Sequence, residues 1–229
     1  YLVNSYHVLI TNPPYMGDKG MSMELKTYAE KMYPETRGDL YAMFMERALE
    51  LAHEFGHVGM MTPFTWMFLT SHEGLRKRIL NAAHFAAFVQ PEYHAFFDSA
   101  YVPVCAFSMV CVKDDDYKGT FIDLGEFYGA ELQPEKTLEA IHSPTCTWLY
   151  YASVQDFKML PGFPLAYWVS EEVRRIFQAY EPLYSVAKPR QGIKTGDNDR
   201  FLRLWHEVAF DSVALTSAER NERKWFPCN

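Results

Sequence analysis

The sequence has little of what marks metal-binding, secreted or membrane proteins. Its four cysteines form no CxxC pair, and it has no HExxH motif, so a zinc site is not expected. No apolar run is long enough to cross a bilayer, and the first residues lack the basic and apolar regions of a signal peptide. We therefore expect a cytoplasmic protein without a bound metal, in which Cys105 and Cys111 lie reduced in the core.

Positive charge is also scarce. A formal net charge of −7 argues against a uniformly basic nucleic-acid-binding protein. One stretch nevertheless concentrates five cations against two acidic residues: Lys188, Arg190, Lys194, Arg200 and Arg203. Such a cluster is typical of a solvated loop or of a surface that contacts phosphate groups, and charge alone leaves both interpretations open.

The pattern of apolar residues predicts an α/β protein. Strands are expected at 6–11, 57–63, 84–89, 102–112 and 119–124, the first of them buried on both faces. Helices are expected from Asp39 to Gly56, after a capping box of Thr70 and Glu73, and after Ser170 as N-cap. Residues 17–38 are predicted to form a long loop with room for a short helix. The alternation predicts a parallel sheet, and the last two strands, with no helix between them, predict an antiparallel finish.

The stretch "ITNPPYMG" follows the first predicted strand directly. Ligands bind beyond the carboxyl ends of the strands in open α/β sheets, so Asn12–Tyr15 is expected at a ligand site. The Asn12 side-chain oxygen and the Pro13 carbonyl can accept both N–H bonds of a planar amine, while Tyr15 offers a ring for stacking. Such an amine is a weak nucleophile, so positioning and electrostatic stabilisation would carry its methylation. The alternative is a rigid turn without a ligand.

"NPPY" after an apolar strand resembles the catalytic motif of methyltransferases that use S-adenosylmethionine (SAM), particularly the N6-adenine DNA methyltransferases. The following "DLYAMFMERALEL", "GHVGMMTPFTWM" and "LRKRIL" resemble the next helix, strand and helix in the γ-type motif order, and "FFDSAYVPVCAFSMV" resembles their later strand pair. "GIKTGDNDRFLRLWHEV" is similar to the start of the target-recognition region. The resemblance is nearest to the PglX enzymes of BREX phage-defence systems, followed by the fused type IIG restriction–methylation proteins.

This resemblance implies a fold and a domain plan. The expected fold is α/β, the C-terminal half of a Rossmann-like SAM-dependent methyltransferase sheet with the start of a second, target-recognition domain. Residues 1–130 would be the catalytic part, 131–165 a transition segment, and 166–229 the beginning of the region that contacts DNA. Weak periodicity and four prolines between residues 125 and 165 support a transition there.

The resemblance also implies roles for single residues. Asn12 and Pro13 would bind the adenine amine, Pro14 would complete the rigid motif, and Tyr15 would stack on a base flipped out of double-stranded DNA. Phe96 or Phe97 would supply a second stacking face, although core packing is the favoured explanation for both phenylalanines. Phosphate contacts would come from the five cations: Lys188, Arg190, Lys194, Arg200 and Arg203.

The sequence departs from the family in one respect. The family places a glycine-rich turn and an acidic residue for SAM ahead of NPPY, and no such element precedes Asn12, while "GMSMELK" lies on its other side. We therefore expect an internal fragment of a larger protein, which alone neither binds SAM tightly nor methylates DNA. A fragment of a sheet exposes a strand edge and apolar surface, so self-association is expected.

Two other functions stay open. NPPY also occurs in methyltransferases that act on a protein glutamine or an rRNA base, although the basic segment after residue 188 favours DNA. A non-catalytic DNA-binding or assembly fragment, in contact with other defence-system proteins, is the third possibility.

Overall fold

The computed structural model of the protein describes residues 5–96, 103–188, 196–216, 218–219 and 222–227. The chain divides into two compact units, Tyr1–Glu181 and Pro182–Asn229. The first unit contains a six-stranded sheet made of β1 (Tyr6–Thr11), β2 (Ala52–Pro63), β3 (His84–Gln90), β4 (Val104–Val110), β5 (Gly119–Asp123) and β6 (Leu149–Ala152). The predicted α/β class is thus confirmed.

Helices connect and cover these strands. In chain order they are α1 (Met23–Met32), α2 (Leu40–Leu51), α3 (Glu73–Ala82), α4 (Leu132–His142), α5 (Val154–Lys158) and α6 (Glu171–Ala179). The second unit has two short helices, α7 (Leu183–Val186) and α8 (Asn198–Phe201), and a bridge between Val213 and Trp225. Among the residues that the structure describes, no helix is both long and apolar enough to cross a membrane.

The sheet is mixed, with the strand order β1-β2-β4-β3-β5-β6. β1 pairs parallel with β2, and β3 pairs parallel with β5. β4 lies between β2 and β3 and runs antiparallel to both, and β6 runs antiparallel to β5. The sequence predicted an antiparallel strand at the end of the sheet. The antiparallel strand β4 instead lies near the middle of the sheet. As a result β1, β2, β3 and β5 all end at one edge of the sheet, which we call the carboxyl edge.

One face of the sheet is covered. Helices α2 and α3 pack on it, and the main core forms between these helices and large apolar side chains of the central strands: Val58, Met60, Phe85, Phe88, Phe107 and Met109. The other face, called the open face below, presents smaller residues such as Gly59, Ala106 and Ser108 beside the exposed side chains of Val8 and Ile10. The prediction that β1 is buried on both faces was therefore wrong.

Several predicted boundaries are also corrected. The helix expected to end at Gly56 ends at Leu51, because β2 begins at Ala52. A Cβ at position 56 would lie 2.8 Å from the His53 carbonyl oxygen, so this glycine permits a close backbone approach within the strand. The Thr70–Glu73 capping box does not form; Thr70 begins a short 3₁₀ turn, and His72 is the N-cap of α3.

Other local predictions hold. Ser170 caps α6 by accepting a hydrogen bond from the Val173 amide. Residues 131–165, expected as a transition segment, contain α4, β6 and α5, and β6 joins the sheet beside β5. The domain boundaries themselves stay a prediction.

Candidate active site

The Asn-Pro-Pro-Tyr motif lies directly beyond β1 at the carboxyl edge. The last register pair of β1 with β2 joins Thr11 to Met60, and Asn12 follows. Prolines cannot donate to a strand ladder, so Pro13 and Pro14 end the pairing at this point. Pro13 is buried, whereas Asn12 and Tyr15 are exposed. The motif therefore has a fixed backbone and accessible side chains.

The chain after the motif is attached to the start of α2. The Leu40 amide donates to the Met16 carbonyl at 2.9 Å, and the Asp18 amide donates to the Gly38 carbonyl at 3.0 Å. The motif is therefore positioned by two elements. The strand β1 precedes it, and the helix α2, which covers the sheet, is hydrogen-bonded to the chain that follows it.

The Tyr15 hydroxyl connects the motif to β2. It lies 3.0 Å from Asn12 Oδ1 and 3.1 Å from the Met61 carbonyl oxygen, and it donates to these acceptors. Partial burial, followed by the nearby Cys105 thiol, raises the pKa of Tyr15. The hydroxyl is therefore protonated at neutral pH and can act as a donor.

A buried polar cluster lies behind Tyr15. The Tyr41 ring meets the Tyr15 ring at 84° with centroids 6.3 Å apart, and its hydroxyl lies 3.2 Å from His72 Nε2. Asp39, the N-cap of α2, makes no side-chain cap; its Oδ2 lies 3.8 Å from His72 Nε2. Burial raises the pKa of Tyr41 to about 12 and lowers that of His72. Tyr41 and His72 are buried and Asp39 is partly exposed, so the cluster supports Tyr15 mainly from within the fold.

A second group of aromatic residues lies where β2 and β3 end. Phe64 stacks on Tyr93 at 5.7 Å and 27°, and Phe68 contacts Trp168 at 5.6 Å. Sequence reasoning singled out neither pair, because both contacts join residues far apart in the chain. Only their positions just after predicted strands could have suggested them.

A buried carboxylate organises the turn after β3. Glu92 accepts from His94 Nδ1 at 2.8 Å and from the His94 amide at 2.9 Å. These hydrogen bonds lower the pKa of Glu92 against the opposing effect of burial, which is the largest single contribution. The turn carries Phe96, whose side chain is exposed rather than packed in the core.

The structure separates the predicted residues into three groups. Asn12, Pro13, Pro14 and Tyr15 lie together beyond β1, and Phe96 follows β3 at the same edge. Lys188, Arg200 and Arg203 are exposed in the second unit. Three of the predicted residues lie outside the described part of the chain: Phe97, Arg190 and Lys194.

A shallow groove runs from Asn12 along the open face. Its volume is about 620 Å³, and small or apolar residues of β2, β3 and β4 line most of it, including Gly59, Ala87, Ala106 and Ser108. Asn12 is the side-chain amide at its end. The groove is therefore mainly apolar, with polar side chains from Asn12, Thr11 and Ser108.

A rigid amide motif at the carboxyl edge of a mixed α/β sheet is the arrangement expected of an amino-group methyltransferase. The family model described as Eco57I restriction-modification methylase matches residues 2–97. The methyltransferase subunit of a type I restriction-modification system from Streptococcus thermophilus has a similar fold, with a TM-score of 0.51 at 15% identity over 72% of this chain and 38% of that chain.

Two curated proteins match the whole sequence. The adenine-specific methyltransferase PglX of Lacticaseibacillus casei is 34% identical over 100% of this chain and 19% of that protein. The adenine-specific methyltransferase BrxX of Escherichia coli is 32% identical over 99% of this chain and 18% of that protein. The chain is thus a homologue of these methyltransferases, as its sequence resemblance predicted, and it spans about a fifth of their length.

Proposed function

We propose that the whole protein transfers a methyl group from SAM to the exocyclic amine of an adenine flipped out of double-stranded DNA, in restriction–modification or phage defence. The observation that carries this proposal is the position of Asn12–Tyr15, which lies beyond β1 at the carboxyl edge and is attached to α2. Ligands of open α/β sheets bind at this edge.

The motif residues have distinct functions in this proposal. The Asn12 amide and the Pro13 carbonyl accept the two amine N–H bonds, which holds the nitrogen lone pair toward the electrophilic methyl group. Developing positive charge on that nitrogen is stabilised by the same two dipoles. Tyr15 stacks on the flipped base, which offsets part of the cost of unstacking it from the duplex. Phe96 or Phe97 adds a second stacking face.

The described residues fit the amine side of such a site better than the SAM side. SAM, when bound, supplies the methyl group as an electrophile. Within the described part of the chain, no glycine-rich turn directly follows a strand in a way that could approach its adenosyl part closely. We therefore assign no SAM contact to any residue of this chain. The isolated chain should neither bind SAM tightly nor methylate DNA, and micromolar affinity in a calorimetric titration would contradict this.

DNA phosphates are the proposed ligands of the cations in the second unit. Lys188 and Arg200 are exposed, and Arg203 donates to the Asp199 carbonyl at 2.6 Å while its guanidinium lies 5.8 Å from the Trp225 ring. Arg190 and Lys194 complete the proposed set. Because these contacts are electrostatic, affinity should fall steeply with added salt.

Replacement of Asn12 in the intact protein tests the proposed function. Purified protein is incubated with plasmid DNA and SAM labelled on its methyl group, and the digested nucleosides are separated. Asn12→Ala should reduce N6-methyladenine roughly a hundredfold or more, because an acceptor for the amine is lost. Asn81→Ala, an exposed position on α3, is the matched control and should behave as wild type. No label in DNA, together with label in RNA or in protein glutamine when these are supplied in parallel reactions, would overturn the proposed substrate.

A further inference from the structure

The Tyr15 hydroxyl has two acceptors within reach and one proton to give. Asn12 Oδ1 lies at 3.0 Å and the Met61 carbonyl oxygen at 3.1 Å. A phenol donates one hydrogen bond, although its oxygen can also accept. Because the hydroxyl has one proton for two acceptors, it cannot make a full hydrogen bond to both at once.

The Met61 carbonyl lies where the ladder between β1 and β2 has stopped. Thr11 and Met60 form the last register pair. The residues that follow β1 include Pro13, which has no N–H. The Tyr15 side chain brings a donor to this point from three residues further along the chain than Asn12. Pro13 cannot donate a backbone hydrogen bond to β2, and the Tyr15 hydroxyl supplies a hydrogen bond to the Met61 carbonyl instead.

The Asn12 amide can resolve the competition. Its oxygen and nitrogen ends are similar in size and opposite in hydrogen-bonding role. If the amide turns by a half rotation, Nδ2 donates to the Tyr15 oxygen and the Tyr15 hydroxyl donates to Met61 alone. Each of the two hydrogen bonds then has its own donor, and Oδ1 faces away from Tyr15 as an acceptor.

We propose that the Tyr15 hydroxyl is a positioning group that orients the Asn12 amide, through a relay from Asn12 Nδ2 to Tyr15 and from Tyr15 to the Met61 carbonyl, so that Oδ1 accepts the substrate amine. This inference rests on the proposed function. It gives Tyr15 two separable contributions, since the ring stacks on the base and the hydroxyl acts through Asn12.

The two contributions can be separated by mutation. The Tyr15 ring packs edge-to-face with buried Tyr41, and this contact does not use the hydroxyl. Tyr15→Phe therefore keeps the ring and removes only the relay, whereas Tyr15→Ala removes both. Tyr151→Phe is the matched control, because Tyr151 is exposed on β6 at the opposite edge of the sheet from β1.

The experiment uses the intact protein and an oligonucleotide duplex carrying its own methylation site, mapped beforehand on methylated plasmid. Tyr15→Phe should lower kcat about tenfold, as expected for one lost hydrogen bond, and change KM for DNA less than about twofold. With 2-aminopurine at the target adenine, Tyr15→Phe should keep the fluorescence change on binding, and Tyr15→Ala should alter it. Tyr151→Phe should match wild type in every measurement.

A double-mutant comparison decides whether the hydroxyl acts through Asn12. In single-turnover measurements, Asn12→Ala and the Asn12→Ala/Tyr15→Phe double variant should react at the same residual rate. A wild-type kcat for Tyr15→Phe, or a full additional loss in the double variant, would overturn the relay and leave the proposed function intact. Undiminished methylation by Asn12→Ala would instead overturn the proposed function itself.

Discussion

The two faces of the same sheet differ in how they are built. On the covered face, Phe88 and Phe107 stack at 6.0 Å and 10°, and α2 and α3 enclose them. On the open face, the neighbouring positions hold Ala87 and Ala106, and Ile10 is 81% exposed. Side chains of a strand alternate between faces, so one register places the large aromatic residues of β3 and β4 on one side.

This difference assigns separate tasks to the two faces. The covered face provides the stability of the unit, because its apolar area leaves water on folding. The open face adds little stability and instead leaves a smooth, apolar surface next to Asn12. The motif lies at the edge where the two faces meet, so it is held by one face and accessible beside the other.

The largest expected effect is on the free energy of unfolding, when a large side chain is truncated on the covered face and, for comparison, on the open face. Phe88→Ala should lower the free energy of unfolding by about 3–5 kcal/mol, because it leaves a cavity among Phe85, Phe107 and Phe121. Ile10→Ala should cost less than about 1 kcal/mol, since its side chain is already in water. Urea unfolding of the 229-residue chain measures both. Equal losses would show that the faces do not differ in stability.

A somewhat smaller loss is expected at a buried cation on the covered side. Arg76 donates at 2.7 Å to the carbonyls of Trp66 and Leu69, and through two nitrogens to that of Gly162. Arg76→Met would leave one buried and two partly buried carbonyls without that donor, which should cost roughly 3 kcal/mol. Arg175→Met, in an exposed pair with Glu171, should change stability by less than about 0.5 kcal/mol. Indistinguishable thermal unfolding of the two variants would contradict this.

A pH effect is expected from the covered cluster behind Tyr15. Burial holds the pKa of His72 below its ordinary value of 6.5. The unfolded chain therefore binds a proton more readily, so stability is full above pH 6.5 and is lost as the pH falls below it. Burial raises the pKa of Asp39 above its ordinary value of 3.8.

Unfolding by urea at several pH values between about 5.5 and 7.5 covers the titration of the histidine, because this range brackets its ordinary pKa of 6.5. His72→Gln retains a polar side chain without the titration and should flatten this dependence. An unchanged slope in that variant would assign the pH effect to other groups.

The smallest effect is expected on the open face. Exposed apolar area should make the isolated chain self-associate, and Ile10→Ser should weaken that association about tenfold by removing one buried aliphatic side chain from the contact. Ile141→Ser, exposed on α4, is the matched control. Sedimentation velocity over a concentration series measures it. A wild-type chain that stays monomeric at high concentration would contradict the expectation.

Five of the six strands were predictable, because apolar periodicity and flanking prolines are local signals, whereas β6 was not predicted. β1 was predicted as Tyr6–Thr11 and has these bounds. The position of β4 between β2 and β3 was not predictable, since pairing depends on contacts between distant segments. The burial of β1 was overestimated for a related reason, because an apolar strand does not reveal whether each face has a covering layer.

The site shows the same division. Asn12–Tyr15 could be recognised from four adjacent residues and the strand before them. The approach of Tyr15 to Met61 and Tyr41, and the stack of Phe64 on Tyr93, join residues separated by tens of positions. No local pattern encodes such contacts, and only the folded sheet brings them together.

The placement of β4 also has a consequence for synthesis on the ribosome. β2 and β3 are synthesised before β4 (Val104–Val110), yet both of them pair with β4. At about 5–20 residues per second, the 20 residues from 91 to 110 take roughly one to four seconds to appear. During that interval the apolar strands β2 and β3 lack β4, the strand that lies between them in the folded sheet. A nascent chain stalled at this point would be a natural substrate for chaperones.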